Sequence, residues 1–291
     1  MTSEHGHAGI ELSGMPERGL KTSWTWPRIE TLGRSAYERS FGINFLEEGE
    51  IDAAAVYGLL SRVIPASTRY GLPDRLRGRS VAIVGNSVIT GVGAEIDSHD
   101  EVIRMTTMRN WARVAEHDGE RVTLWAGMLA RVLKGSQPIP PFERLVGDRV
   151  PLWCLSPFHI TCDAYNYLRA CGALEELLVL PPAACLFDDF HKCMGAEQVA
   201  MLYGMPPGTL DLSGFNWYER ILTGTRLALL MELCGVSHVS LYGFDLFSSE
   251  SGRLWSGHDV SVDRQLLAGL GRRLAQSGRG FRWHGHAERE A

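Results

Sequence analysis

The chain has 291 residues, 45% of them hydrophobic, and 34 Asp plus Glu against 29 Lys plus Arg give a net charge of −5. That apolar content excludes global disorder, and the acidic balance is the opposite of what a dedicated nucleic-acid binder carries. The length suits one large domain or two small ones with a sizeable buried core.

The apolar runs, such as Val81 to Val84 and Leu227 to Met231, fall well short of the ~20 residues a membrane helix needs. The opening MTSEHGHAGIELSG carries no basic n-region and no apolar h-region, so neither a signal peptide nor a transmembrane segment is expected. The six cysteines (Cys154, Cys162, Cys171, Cys185, Cys193 and Cys234) then read as buried thiols in a reducing, cytoplasmic setting.

Residues 1–35 are rich in Gly, Ser, Thr and charge without periodicity, and read as a mobile arm tacked down by Trp24 and Trp26. Residues 36–291 read as a single domain. A helix is expected over 47–63, with acidic residues in its first turn, Arg62 in its last, and Pro65 beyond. Val81-Ala-Ile-Val-Gly85 is a short β-branched run ending at glycine, the pattern of a buried parallel strand. Further strands are expected at Glu101–Met105, Arg121–Trp125, Val150–Leu155, Leu177–Leu180 and Val236–Tyr242. Helices are expected near 108–116, 141–147, 163–172, 194–203, 221–234 and 262–276, the last from Leu266, Leu267, Leu270 and Leu274. This alternation predicts an α/β fold: one Rossmann-like domain with a mostly parallel central sheet flanked by helices. The Pro/Gly-rich stretch 181–216 is expected to be a lid or an irregular segment.

The first strand runs into Gly85-Asn86-Ser87, with Gly91 and Gly93 beyond. A strand followed by a tight glycine turn presents backbone N–H groups and hydroxyls at the carboxyl edge of a sheet, where open α/β folds bind nucleotides. The dinucleotide fingerprint is not met: position 96 is Ile, and the second strand ends at Arg104-Met105-Thr106 rather than at Asp or Glu. No Gly-Lys-Ser/Thr occurs, so a P-loop is also excluded. Taken alone, the turn is equally compatible with an Asn that caps local backbone. His159-x2-Cys162 and Cys185-x5-His191-x-Cys193 match no common zinc spacing, and no metal site is expected.

Three blocks together are more specific. Ser80 to Thr106, SVAIVGNSVITGVGAEIDSHDEVIRMT, resembles the large sialylmotif of animal-type sialyltransferases in its strand, Gly85-Asn86-Ser87, Ile96-Asp97, His99-Asp100 and Val-x-Arg ending at Arg104. Thr223 to Asp245, TGTRLALLMELCGVSHVSLYGFD, resembles the small sialylmotif, and His258 with Asp263 resembles the short His-x4-Glu motif with Asp in place of Glu. The resemblance covers residues 80–106 and 223–263 and hardly touches the middle. It implies a sialyltransferase-like, CMP-sugar-dependent glycosyltransferase of a soluble, bacterial type. Its chemistry would be inverting and metal-independent, with no cofactor beyond the nucleotide-sugar donor and a hydroxyl-bearing acceptor. By position, Gly85, Asn86, Ser87, Arg104 and Thr106 would lie beside the donor. Thr223, Gly224 and Thr225 would line its phosphate and ribose, with Tyr242, Phe244 and Asp245 next to them, and His258 would be the catalytic base. Thr106 stands where the family usually has Asn, and Leu222 where it has Ser, which bears on sugar specificity. Ser80 replaces a family cysteine whose partner would be Cys234, so the family disulfide is not expected.

The chemistry needs a base for the acceptor hydroxyl, donors for the departing phosphate, and exclusion of water. A histidine fits the base because its pKa lies near operating pH. Without the family, His258 reads as a histidine preceding the last helix, with Asp259 as the cap. Arg104 or Arg226 could clamp phosphate. His99-Asp100 is expected to fix the turn before the second strand. Trp217 is a candidate acceptor platform. A hydrolase of CMP or a CMP-linked substrate, and a non-catalytic nucleotide-binding protein, are the alternatives on the same scaffold.

Overall fold

A computed structural model describes residues 75–108, 111, 114–134, 137–155, 162–179, 200–210, 221–246 and 260–284. The expected arm, the 47–63 helix, most of 181–216 with Trp217, and His258 lie outside the described residues.

The chain forms β1 (Ser80–Val84), α1 (Gly93–Asp97), β2 (Glu101–Met105), α2 (Ala115–Asp118), β3 (Leu124–Gly127), α3 (Leu129–Val132), β4 (Leu133–Lys134) and β5 (Gln137–Pro138). It continues through α4 (Pro140–Gly147), β6 (Leu152–Cys154), α5 (Cys162–Ala170), β7 (Leu177–Val179), α6 (Thr223–Leu233), β8 (His238–Tyr242), α7 (Val260–Gln276) and β9 (Gly280–Trp283). Seven strands make one sheet in the order β7-β6-β3-β2-β1-β8-β9, and every pairing in it is parallel. The expected α/β class with a mostly parallel sheet is therefore the observed one. β4 and β5 form a separate antiparallel pair.

The strands are apolar because both faces are covered. On one face Val81, Ile83, Ile103, Leu124, Val239 and Leu241 pack with α6 and α7 in the main core. On the other, Ala82, Val84, Val102 and Tyr242 pack with Ile96 of α1. Helix α6 is buried along almost its whole length, Gly224 to Glu232, which explains its run of apolar residues on all sides.

The departures from expectation have local causes. The helix expected near 108–116 shrinks to α2, because Met108 takes φ +49° and Val114 is extended. The third strand begins later than expected and extends to Gly127. β9 has no sequence signature: it is a four-residue edge strand, only partly buried, so it lacks both the apolar run and the alternation.

Candidate functional site

After β1 the chain moves outward through β2, β3, β6 and β7, then returns to place β8 on the other side of β1. Strand order thus reverses between β1 and β8, and the carboxyl ends of these two strands flank the crevice where open α/β sheets bind ligands. β1 ends at Val84 beside Tyr242 of β8. Gly85, Asn86 and Ser87 therefore lie against Gly243, Phe244 and Asp245.

The two turns are in close contact. Gly85 N–H donates to the Tyr242 carbonyl at 2.8 Å and Ser87 N–H to the Gly243 carbonyl at 3.4 Å. A Cβ at Gly85 would lie 2.5 Å from the Gly243 oxygen, so only glycine admits this approach. Gly243 itself takes φ +67°. The Phe244 ring lies between Gly85 on one side and Gly224 of α6 on the other: a Cβ at Gly224 would collide with Cε1 and lie 2.6 Å from Cζ. Trp283 of β9 fixes the Phe244 backbone by donating its indole N–H to the Phe244 carbonyl at 2.9 Å.

Helix α6 precedes a parallel strand, so its N-terminus opens at the same carboxyl edge as the Gly85 turn. Thr223, Gly224 and Thr225 form its first turn. Thr225 is fully buried and its hydroxyl has no partner among the described residues. Arg226 is buried and approaches the Thr223 hydroxyl at 3.5 Å. Leu222, at the N-cap, offers no side-chain cap. Its own N–H donates instead to Asp263 Oδ1 at 2.8 Å, a role that a Glu in the first turn of the same helix fills in a capping box. Asp263, fully buried in the first turn of α7, thus ties the third sequence block to the second.

At the end of β2, Thr106 holds φ +47° and accepts the Trp125 indole N–H at 2.9 Å. That left-handed conformation suits Asn better than a β-branched residue, which gives a local reason for Asn at this position. Thr107 donates its hydroxyl to Asn86 Oδ1 at 3.3 Å, joining the β1 and β2 loops. Arg104 was expected beside the donor. Its guanidinium is buried and donates to the carbonyls of Asp118 (2.7 Å), Gly119 (2.9 Å) and Arg121 (3.0 Å), with Asp118 Oδ2 at 3.4 Å. Burial lowers its pKa to about 10 and raises that of Asp118, with the opposite charge of each partner working against the shift. Arg104 therefore secures the loop that follows α2.

Of the expected site residues, Gly85, Asn86, Ser87, Thr223, Gly224, Thr225, Tyr242, Phe244 and Asp245 gather at one sheet edge, with Thr106 one strand further along. Tyr242 shares this edge through its backbone, while its ring turns to the opposite face and packs with α1. His258 lies outside the described residues. So do His159, Cys185, His191 and Cys193, and among the described residues no group of three or more His, Cys, Asp or Glu could hold a metal ion. No helix among them is long and apolar enough to cross a membrane. Ser80, in place of the family cysteine, pairs by its N–H and hydroxyl with Asp100 Oδ2, both at 2.8 Å, and Cys234 is a buried thiol whose pKa burial pushes up to about 12. Chemically, the Thr223 and Thr225 hydroxyls and the positive end of α6 suit an anionic phosphate. Sequence reasoning did not find Phe244 as the spacer between two glycines, the Trp283 tie or the Thr107–Asn86 bond, because none has a signature within a single segment.

No protein-family model and no curated protein matches the chain. Among solved structures, it is similar to that of a mammalian sialyltransferase, at 18% identity over 80% of this chain and 79% of that chain, with a TM-score of 0.47.

Proposed function

We propose that the chain is a glycosyltransferase that takes a CMP-sugar donor at the carboxyl edge between β1 and β8. The observation that carries this reading is the convergence there of the blocks resembling the large and small sialylmotifs. Residues 85–87, 223–225 and 242–245, far apart in sequence, meet around Phe244. A chance resemblance confined to single segments does not require that meeting.

In this reading the N–H groups that open α6 hold the donor phosphate. The acceptor hydroxyl oxygen attacks the anomeric carbon, and His258 takes its proton. The bond from that carbon to the phosphate oxygen breaks, and CMP leaves with the electron pair, so the anomeric centre inverts. Asp263 anchors the start of α7, five residues beyond His258, to the start of α6.

The test is transfer from CMP-sialic acid to a panel of hydroxyl acceptors, with and without EDTA, for the parent chain and His258→Ala. The reading expects EDTA-insensitive transfer, lost in His258→Ala while CMP still binds. Release of free sugar without acceptor would make the chain a hydrolase. Full transfer by His258→Ala would remove the histidine from the mechanism.

A further inference from the structure

A second cluster lies on the other face of β8, and the proposed transfer makes no use of it. Ser240 is buried in mid-strand, with Oγ 2.9 Å from His99 Nε2 and 2.9 Å from His238 Nε2. One hydroxyl has one proton to give. His99 Nδ1 lies 3.0 Å from the Glu95 carbonyl and 3.3 Å from that of Ile96, both acceptors, so Nδ1 carries the hydrogen. Nε2 of the neutral His99 ring therefore accepts the Ser240 proton. His238 must then donate from Nε2 to the same oxygen, which leaves its Nδ1 bare. That nitrogen lies so close to Gly280 of β9 that a Cβ there would overlap it. Two neutral imidazoles satisfy the arrangement.

We propose that the His99–Ser240–His238 bridge is a proton-sensitive latch that ties the end of α1 to β8 and sets His238 against the backbone of β9. A second proton on His238 must sit on Nδ1, against the β9 backbone. The two ring centroids are 6.1 Å apart, so charge on one opposes charge on the other.

The surrounding charges do not favour a cation on His238. Arg282 and His284 of β9 both face Glu95 of α1, with Nη1 2.6 Å and Nε2 3.3 Å from Oε1, so the nearby carboxylate is already shared. Tyr242 lies edge-on to His99 and stacks on His284 at 4.0 Å. Arg121 donates to the His99 carbonyl, and Asp100, next in sequence, is bound to Ser80. Burial first, then His99 and Arg282, hold His238 below the usual imidazole value, against the pull of Glu95.

The sign follows. The unfolded or locally opened chain takes up a proton near pH 6.5 and the closed one does so only at lower pH. The latch is fully closed above that value and loses stability as pH falls below it. Among the described residues β9 pairs only with β8, so the smallest opening that frees His238 Nδ1 is detachment of β9. That opening also releases Trp283 from the Phe244 carbonyl, which connects the latch to the nucleotide edge.

Native-state hydrogen exchange of residues 280–284, corrected for the intrinsic pH dependence of exchange, tests this between pH 8 and 5. Protection should be constant above pH 7 and fall as pH drops below ~6.5, by at most about tenfold per pH unit for the one proton taken up. His238→Gln, which can still donate to Ser240 but cannot titrate, should flatten the profile. A flat parent profile, or an unchanged slope in His238→Gln, overturns the latch. Should that variant not fold, NMR titration of His238 in the parent chain decides: a value below ~6.5 supports the latch, and one at or above it overturns the latch.

Discussion

Gly224→Ala probes whether Phe244 sets the spacing of the site. The added methyl would collide with Cε1 of Phe244 and lie 2.6 Å from Cζ and 3.0 Å from Cδ1. Ordinary contact needs about 3.4 Å or more, so the ring or the start of α6 must retreat by roughly 1 Å. The ring has little room, because its backbone is tied to Trp283 and its other edge lies against Gly85. Overpacking of this kind costs about 1–3 kcal/mol, while replacing a helical glycine by alanine returns up to about 1 kcal/mol, and less at the second position of the helix. The expected net is a loss of about 1–2 kcal/mol in urea unfolding, with weaker nucleotide binding. Phe244→Leu should relieve the clash, so the double variant should be more stable than the sum of the two single changes by ~0.5 kcal/mol or more. A Gly224→Ala chain as stable as the parent, or strict additivity in the double variant, would refute the packing argument.

Arg104→Ala should cost about 3–5 kcal/mol in urea unfolding, because it strands the buried Asp118 carboxylate and three carbonyls; a stable variant that merely loses nucleotide would instead make Arg104 a ligand. Thr106→Asn should raise stability by roughly 1 kcal/mol by easing the φ of +47°, as read by thermal unfolding; an unchanged or lower midpoint would contradict it. Under native conditions at pH 8, iodoacetamide should label the exposed Cys171 and spare Cys234, whose thiol is buried and pushed up to about 12; mass spectrometry showing equal labelling would contradict that burial.

The parts of the fold legible in sequence are those whose signal is local. β1 is readable because a buried parallel strand is an apolar run that ends at a turn, and α6 because its Thr-Gly start and apolar body sit in one segment. β9 was not, since an edge strand of four residues borrows its order from β8 and from α7 packed beside it. The same division runs through the site. Gly85 and Gly224 are visible as glycines, but the reason for each is a residue more than a strand away, Gly243 or Phe244. Arg104 illustrates the converse: its place at the end of β2 is readable, whereas the direction of its side chain depends on carbonyls that the α2 turn brings to it. His99 was legible as structural, but its partner Ser240 lies across the sheet on β8.

The most direct test of the central claim is calorimetric titration of the full chain with CMP, UMP, UDP, GDP and NAD, with and without EDTA, alongside Asn86→Ala. The account predicts selective, EDTA-insensitive binding of CMP that Asn86→Ala weakens without lowering the thermal midpoint to match. Absence of CMP binding, or preference for another nucleotide, would contradict it and leave the meeting of the two blocks as a property of the fold alone.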